Sequence, residues 1–264
     1  MGRIISVANQ KGGVGKTTTT VNTASAIAAR GKKVLIVDID PQGNSTLGLG
    51  LNKEEETENV YNLLIEDMPV RSVIKKTSIE NLDIIPSNIQ LTGAEVELVN
   101  EEERETRLKK ALDQVKDEYD YIFIDSPPSL GLLTLNSLVA SDSVMIPMQC
   151  EFYALDGLGQ LLSTIGLVRD NLNPELVIEG VVITMFDSRT SLALQVVEEI
   201  KKKFKHKVYE TVIPRNVRIS EAPSFGQPID IYDRNSKGAK AYDNLAAEIT
   251  GIKEARKSAS GKGK

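Results

Sequence analysis

The chain has 264 residues, of which 41% are hydrophobic and 26% are charged, as expected for one large soluble α/β domain. Its formal net charge of −5 argues against a protein that coats nucleic acid over its whole surface, but leaves room for a local basic patch. The single cysteine, Cys150, excludes an intrachain disulfide and indicates a reducing compartment, and the single histidine, His206, argues against a zinc site or a Ser-His-Asp triad. The sequence shows no signal peptide and no apolar run as long as a membrane span.

The first predicted elements flank a glycine-rich turn. Residues 4–8 are an apolar run that predicts a strand, and residues 21–29 have the periodicity of a helix. Glycines between a strand and a helix let backbone N–H groups converge on phosphate oxygens, and the helix N-terminus attracts the same anion. The sequence therefore predicts a phosphate-binding loop formed by Lys11, Gly12, Gly13, Val14, Gly15, Lys16, Thr17 and Thr18.

Two side chains of this loop have predicted roles. Lys16 would place a positive charge on the β- and γ-phosphates, and the Thr17 hydroxyl would ligate Mg²⁺. The loop departs from the pattern G-x-x-x-x-G-K-[ST], because position 10 is Gln10 and a second lysine, Lys11, opens the loop. A functionless Gly/Lys turn is the alternative, and the flanking strand and helix argue against it.

A loop with lysines at both ends resembles the deviant Walker A motif of the ParA/MinD superfamily of ATPases. The resemblance implies ATP and Mg²⁺ as cofactors. It also implies a catalytic role for Lys11, which in that family reaches the nucleotide of a second subunit.

The second predicted strand ends in two carboxylates. Residues 34–38 are a continuous apolar run suited to a buried parallel strand, and Asp38 and Asp40 follow on the same side of an extended segment. Open α/β sheets bind ligands at this end of their strands, although both carboxylates could instead cap the next turn. The run D-x-D-P-Q-G-N at residues 38–44 resembles the family's second nucleotide motif. The match implies that Asp40 positions or polarises the attacking water and that Asp38 lies near Mg²⁺.

Three further elements are expected before the middle of the chain. Residues 53–58 start a surface helix that runs through residues 61–64, and residues 82–85 form a strand. Residues 95–116 predict one solvated amphipathic helix, with Leu108, Leu112 and Val115 at helical spacing.

Residues 119–125 predict a strand that ends in Asp125. A carboxylate in this position can hold Mg²⁺ as in a Walker B site, although aspartate at a strand end is also a common turn former. The run D-x-P-P at residues 125–128 resembles the Walker B form of the same family, which implies that Asp125 belongs to the metal site.

The second half continues the alternation of strands and helices. Helices are predicted over residues 132–140, 153–172 and 236–252 and from residue 191 onward, and strands over residues 143–147, 177–186 and 208–213. In the helix from residue 191, four apolar side chains are predicted to face inward: Leu192, Val196, Ile200 and Phe204. This helix ends in Lys201, Lys202 and Lys203, which either complement the helix dipole or form a nucleic-acid patch.

The run I-P-R-N-x-R-x-S-E-A-P at residues 213–223 resembles the chromosomal ParA (Soj) group. The resemblance implies that Pro214 and Asn216 contact the adenine. Arg189 and Arg218 each follow a strand at the edge where the loops gather, and in related ParA proteins basic residues on this side form the DNA surface. Lys201, Lys202 and Lys203 would extend that surface, and the alternative is that both arginines are internal salt-bridge partners.

Alternating strands and helices predict an α/β fold, with a mostly parallel sheet and helices on both faces. The expected organisation is a single P-loop NTPase domain over residues 1–252 and a basic, disordered tail over residues 253–264. Because the chain opens directly into its first strand, we expect no N-terminal helix-turn-helix region.

The resemblance implies a ParA-type ATPase for chromosome or plasmid partitioning. In the family, an ATP-dependent sandwich homodimer binds DNA non-specifically and is released when a ParB protein stimulates its weak ATPase activity. This implies a cytoplasmic, nucleoid-associated protein. One alternative is a MinD-like membrane ATPase, disfavoured because residues 253–260 carry no large apolar side chain. The other is a metabolic P-loop ligase or kinase.

Overall fold

The computed structural model describes residues 2–151, 154–204 and 206–252. One eight-stranded sheet has the order β3-β4-β2-β5-β1-β6-β7-β8. Every pair of neighbours is parallel except β3 and β4. The strands are β1 (Arg3–Val7), β2 (Val34–Asp38), β3 (Lys75–Lys76), β4 (Leu82–Ile85), β5 (Tyr121–Asp125), β6 (Ser143–Gln149), β7 (Val177–Phe186) and β8 (Val208–Pro214).

Helices cover both faces of the sheet. They are α1 (Lys16–Ala28), α2 (Asn44–Gly48), α3 (Val60–Ile65), α4 (Val70–Val73), α5 (Leu91–Glu97), α6 (Arg107–Leu112), α7 (Leu132–Ala140), α8 (Ala154–Asn171), α9 (Ser191–Lys203), α10 (Val217–Glu221), α11 (Ile229–Tyr232) and α12 (Lys237–Thr250). Three short 3₁₀ helices cover Leu98–Asn100, Lys116–Glu118 and Ala222–Phe225. The predicted fold class is therefore confirmed.

The hydrophobic core lies in two layers, one on each face of the sheet. In β2, Val34 and Ile36 pack into the layer that contains α1, α11 and α12, while Leu35 and Val37 pack into the layer that contains α3, α5, α6 and α7. Because both faces of the strand are covered, β2 is apolar at successive positions rather than at alternate ones. A third cluster packs α8 and α9 against β6 and β7 on the same side as α7.

The prediction of a helix starting at residues 53–58 was wrong. These residues form turns, and α3 begins only at Val60. The side chain of Asn59 accepts a hydrogen bond from the Tyr61 N–H, and the Asn62 side chain accepts one from the Asn59 N–H. This reciprocal cap fixes the first turn of the helix at Asn59, after the charged run.

The prediction of one long helix over residues 95–116 was also wrong. The segment contains the end of α5, a 3₁₀ turn and then α6, which begins at Arg107. Glu103 has φ of 51°, a left-handed conformation that a right-handed helix does not continue through. Leu108 and Leu112 are fully buried in the core, so α6 is a packed helix and not a solvated one.

The remaining differences lie at element ends. β5 begins at Tyr121, β6 extends to Gln149, β8 extends to Pro214, and the short helices α10 and α11 had not been predicted. The inward positions are confirmed for Val196 and Ile200 of α9 and for Phe204 just after it, which are all buried, while the side chain of Leu192 lies outside the described residues. The tail over residues 253–264 and Tyr153 at the start of the predicted helix lie outside the described residues. Among the helices that the structure does describe, none combines the length and apolar character that crossing a bilayer requires.

Candidate nucleotide site

The glycine-rich loop joins β1, in the middle of the sheet, to the first turn of α1. Gly13 and Gly15 have φ of 72° and 88°, in the left-handed region that glycine adopts without strain. A Cβ atom built on Gly12 or Gly13 would meet no other atom within 4 Å. The inner face of this loop therefore borders open space, with room for a ligand against the backbone.

Two side chains from the neighbouring strands hold the loop in place. The Gln149 amide at the end of β6 donates to the Gly13 carbonyl oxygen at 2.6 Å. The Thr184 hydroxyl in β7 donates to the Val14 carbonyl oxygen at 2.7 Å. These two hydrogen bonds tie the loop backbone to β6 and β7.

The first turn of α1 presents its backbone N–H groups to the loop. Gly15 is the N-cap and supplies no side-chain cap, so the N–H groups of Lys16, Thr17 and Thr18 lack an intrahelical partner. Such a helix end attracts anions, because unpaired N–H groups and the helix dipole both favour negative charge.

Lys16 is a buried cation at this helix end. Its side chain points back across the loop, with Nζ 3.4 Å from the Lys11 carbonyl oxygen. Burial lowers the pKa of Lys16, and the nearby charges of Asp125 and Asp40 oppose that effect. A buried ammonium group needs a bound anion or a paired carboxylate, and the loop leaves space for the anion.

Asp38 and Asp125 lie side by side at the ends of β2 and β5, at the same level of the sheet. Neither is exposed to solvent. Asp38 accepts hydrogen bonds from the N–H and the hydroxyl of Thr46, both at 2.8 Å, and Asp125 accepts one from the Ser45 hydroxyl at 2.8 Å. The hydroxyl of Thr20 donates to Asp125 at 3.4 Å, and the hydroxyl of Thr17 lies near enough to lower the pKa of Asp125.

The pKa values of both buried carboxyl groups are raised. Burial is the main cause for each, and the charge of Asp125 adds to it at Asp38, while the charge of Asp40 adds to it at Asp125. Two adjacent buried carboxylates are stabilised in their charged form by a cation. The donor set therefore suits a hard cation such as Mg²⁺.

The described residues contain no group of three or more His, Cys, Asp or Glu side chains arranged to hold a metal ion by themselves. This agrees with Mg²⁺, which usually keeps several waters and binds through one or two carboxylates together with substrate phosphates. Thr17, Asp38 and Asp125 are the predicted metal residues, and the structure brings all three together below the loop.

Asp40 lies one turn beyond the strand end. Its carboxylate accepts a hydrogen bond from the Gln42 N–H at 2.9 Å, and its carbonyl oxygen accepts one from the Ser87 hydroxyl at 2.8 Å. Asp40 is therefore held as a turn former, as the alternative interpretation expected. Its charge also acts on Lys16, so it faces the loop as well.

Lys11 opens the loop and forms an ion pair with Glu151 of the same chain. Both side chains are about half exposed, so the pair contributes little stability and costs little to break. In a single chain, therefore, the Lys11 ammonium group is paired with Glu151.

Pro214 is the last residue of β8 and Asn216 follows it, at the same edge of the sheet as the loop and three strands from β1. Pro214 lies in register with Phe186 of β7. The side chain of Asn216 accepts a hydrogen bond from the Arg218 N–H at 2.8 Å and so caps α10.

Arg189 and Arg218 both lie at this edge and both have a carboxylate partner. Arg189 binds Asp187 through Nε at 2.8 Å and Nη2 at 2.6 Å, and Arg218 binds Glu221 at 2.9 Å. Both arginines therefore form salt bridges, as the alternative interpretation expected. The partner of Arg189 lies two residues before it, and the partner of Arg218 lies three residues after it. The side chains nevertheless remain 85% and 55% exposed.

The lysines at the end of α9 lie elsewhere. α9 has 13 residues and connects the end of β7 to the start of β8, so it carries Lys201 and Lys202 about 20 Å towards the opposite edge of the sheet. In a single chain the length of the helix separates these lysines from Arg189, and their extension of the surface of Arg189 and Arg218 stays a prediction. The side chain of Lys203 lies outside what the structure describes.

Several polar residues of the site had not been predicted from the sequence. All of them lie near the carboxyl ends of the strands, on the same side of the sheet as the loop: Ser45, Thr46, Ser87, Gln149 and Thr184. The rule that ligands bind at the carboxyl ends of parallel strands could have indicated them. The spacing of these residues in the sequence does not match a recognisable motif.

Comparisons with known proteins agree with this geometry. A family model described as an AAA domain matches residues 2–178. The chain is 61% identical over 249 residues to the sporulation initiation inhibitor protein Soj of Bacillus subtilis (strain 168), covering 94% of this chain and 98% of that protein. It is 54% identical over 249 residues to the chromosome partitioning protein ParA of Myxococcus xanthus (strain DK1622), covering 94% of this chain and 88% of that protein.

A solved structure of cobyrinic acid a,c-diamide synthase from Mycobacterium smegmatis, with bound ADP and magnesium, is similar with a TM-score of 0.84. It is 38% identical and covers 96% of this chain and 98% of that chain. The identities of 61% and 54% to the two partitioning proteins are higher than the 38% identity to this synthase. The chain therefore belongs to the ParA and Soj family of chromosome-partitioning P-loop ATPases.

Proposed function

We propose that the chain binds ATP and Mg²⁺ at the edge of the sheet described above. Lys16 and the free N–H groups of the loop hold the phosphates, and Thr17, Asp38 and Asp125 hold Mg²⁺ directly or through water. Bound Mg²⁺ neutralises phosphate charge and so assists transfer of the γ-phosphoryl group to water. Pro214 and Asn216 contact the adenine.

Asp40 positions the attacking water in this proposal. The main support for this function is that buried Lys16 and the buried carboxylates Asp38 and Asp125 meet below a glycine loop that borders open space. Asp40 is the carboxylate held outermost of the three, because it lies beyond the strand end and is fixed through its backbone by Ser87. It is therefore free to accept a hydrogen bond from water.

A sandwich homodimer completes the site. Gly12 borders open space, which leaves room for a second copy to approach the phosphates. Lys11 exchanges its exposed partner Glu151 for the nucleotide of the second copy. The exchange is feasible because an exposed ion pair is worth at most about 1 kcal/mol.

The ATP-bound dimer binds DNA without sequence preference through basic residues that include Arg189 and Arg218. A ParB-type protein bound to a centromere-like site stimulates hydrolysis and thereby releases the dimer. The protein acts in the cytoplasm, on the nucleoid, in the partitioning of a chromosome or plasmid.

The test is the rate of ATP hydrolysis by the purified chain alone, with duplex DNA, and with DNA together with the ParB-type protein encoded beside it. We expect slow basal hydrolysis that rises when both are present. Fast hydrolysis that requires a small acid or amine acceptor, with no response to DNA, would instead identify a metabolic ligase. ATP-dependent binding to anionic vesicles in place of DNA would identify a membrane-associated ATPase.

A further inference from the structure

Three cations at the start of α12 form no ion pair with any carboxylate in the part of the chain that the structure describes. Arg234 lies in the turn before the helix, Lys237 is its first residue, and Lys240 follows one turn later on the same face. We call these three residues the α12 basic cluster. All three are exposed, and within the described residues none of them forms an ion pair with a carboxylate. Arg234 forms no ion pair with Asp230, but its charge partly opposes the rise that burial causes in the pKa of Asp230.

The position of the cluster is electrostatically unfavourable to the fold. The N-terminus of a helix carries partial positive charge, and α12 has no acidic residue in its first turn. Cations at this end therefore repel the helix dipole and each other. Ser236 caps the helix by accepting a hydrogen bond from the Ala239 N–H at 3.0 Å, so the cluster is not needed to start it.

The cluster lies at the nucleotide edge of the sheet, next to Arg218. The close approach of Gly238 to Ile219, where a Cβ would come within 2.5 Å, places the start of α12 against α10. Arg218 Nε is also 3.6 Å from Asp233, the residue before Arg234. The far end of α12 packs at the middle of β8, where Glu248 accepts a hydrogen bond from the Thr211 N–H at 2.7 Å. The helix therefore runs away from the loop edge.

We propose that the α12 basic cluster is a main phosphate-contacting surface for duplex DNA, in addition to Arg189 and Arg218. The inference rests on the proposed function, because it presumes that the ATP-bound dimer binds DNA. Unpaired cations are available to a phosphate without first breaking an ion pair, whereas Asp187 already accepts two hydrogen bonds from Nε and Nη2 of Arg189. A dimer presents two such clusters, which makes binding depend on ATP through avidity.

Phosphate contacts also predict the form of the salt dependence. Each contact releases about 0.9 counterion, so each cation contributes about eightfold to affinity at about 0.1 M salt. For each cluster that contacts DNA, neutralising two cations should therefore weaken binding by roughly 60-fold and make the slope of log affinity against log salt shallower by about 2.

The experiment compares Lys237→Gln/Lys240→Gln with the matched control Lys109→Gln/Lys110→Gln. Both variants lose two charges from a helix, but the control changes α6, in the helix layer on the other face of the sheet. DNA affinity is titrated with ATP at two salt concentrations, ATP-dependent dimerisation is measured by sedimentation, and thermal unfolding is followed for each protein. Arg234→Gln serves as a second, independent variant.

We expect the α12 variants to dimerise normally, to lose DNA affinity and salt dependence as stated, and to unfold at an equal or higher temperature than the unchanged protein. The control should retain its DNA affinity. Unchanged DNA affinity in the α12 variants, or an equal loss in the control, overturns the inference. If the unchanged dimer binds anionic vesicles but not DNA, and the α12 variants lose this vesicle binding, the cluster binds a membrane instead. An unchanged protein that dimerises but binds no DNA refutes the proposed function itself.

Discussion

The hydroxyl of Ser87 donates a hydrogen bond of 2.8 Å to the carbonyl oxygen of Asp40. The N–H of Ser87 donates to the Thr46 hydroxyl at 3.0 Å, and that hydroxyl in turn donates to Asp38 at 2.8 Å. One fully buried serine after β4 therefore fixes the backbone at the proposed water-positioning residue and supports a proposed Mg²⁺ residue.

Loss of this serine should slow hydrolysis without weakening ATP binding. In Ser87→Ala the Asp40 backbone loses its anchor, and a small displacement of a group that orients water lowers the rate by about tenfold or more. The measurement is kcat with ParB and DNA, together with ATP affinity by titration. Ser87→Thr retains the hydroxyl and should recover most of kcat. Equal losses of kcat in both variants would contradict a positioning role.

Asp40→Ala should stop hydrolysis and leave ATP binding intact, so that ATP-dependent dimers accumulate. The physical reason is that the carboxylate orients water and does not hold the phosphates. Asp40→Asn is the control, because its side-chain oxygen can still accept from the Gln42 N–H and so preserves the turn. Loss of ATP affinity in the asparagine variant would show that Asp40 is part of the binding site.

Gly12→Val should bind ATP but fail to dimerise. A Cβ at position 12 meets nothing within 4 Å in the single chain, so the chain itself accommodates the branched side chain, whereas in the proposed dimer the approaching second copy clashes with it. Gly13→Val is the contrast, because φ of 72° at Gly13 strains any branched residue and should reduce ATP binding itself. Sedimentation with ATP reports the dimer, and a normal dimer of Gly12→Val would rule out close contact at this residue.

Arg189→Glu and Arg218→Glu should each abolish DNA binding while ATP-dependent dimerisation survives. Asp187→Asn offers a complementary test, because it removes the carboxylate that binds Arg189. The freed guanidinium group should raise DNA affinity by a few-fold, most clearly at low salt. The readouts are a DNA titration at two salt concentrations and a dimerisation assay. Loss of the dimer in the glutamate variants would favour a structural role for these ion pairs.

Asp230 should make the folded state less stable as the pH rises. Its carboxylate accepts from the Ser25 hydroxyl at 2.9 Å, and burial raises its pKa above 3.8. The folded protein therefore binds this proton more tightly than the unfolded chain. The stabilisation is complete below the unfolded pKa of about 3.9 and is lost as the pH rises through the raised value.

The variant Asp230→Asn remains neutral at every pH. Its free energy of unfolding, measured by urea titration, should therefore increase relative to that of the unchanged protein between about pH 4 and pH 7. Taking the difference between the two proteins removes the contribution of other titrating groups. A difference that stays constant over this range would show that the pKa of Asp230 is the same in both states.

The sequence by itself determined the fold class and the identity of the phosphate loop. Continuous apolar runs such as residues 34–38 specify buried parallel strands, because both faces of each strand are covered. The glycines between a strand and a helix specify a loop whose backbone can approach an anion. These signals are local, so they can be recognised without knowing which segments meet in space.

Only the tertiary structure decided which distant residues complete the site. Ser87 reaches Asp40 because β4 lies beside β2, and Gln149 reaches Gly13 because β6 lies beside β1. No local sequence pattern predicts the order of the strands in the sheet. The ion pairs of Arg189 and Arg218 and the break before α6 likewise depend on neighbours and backbone geometry that apolar spacing does not record.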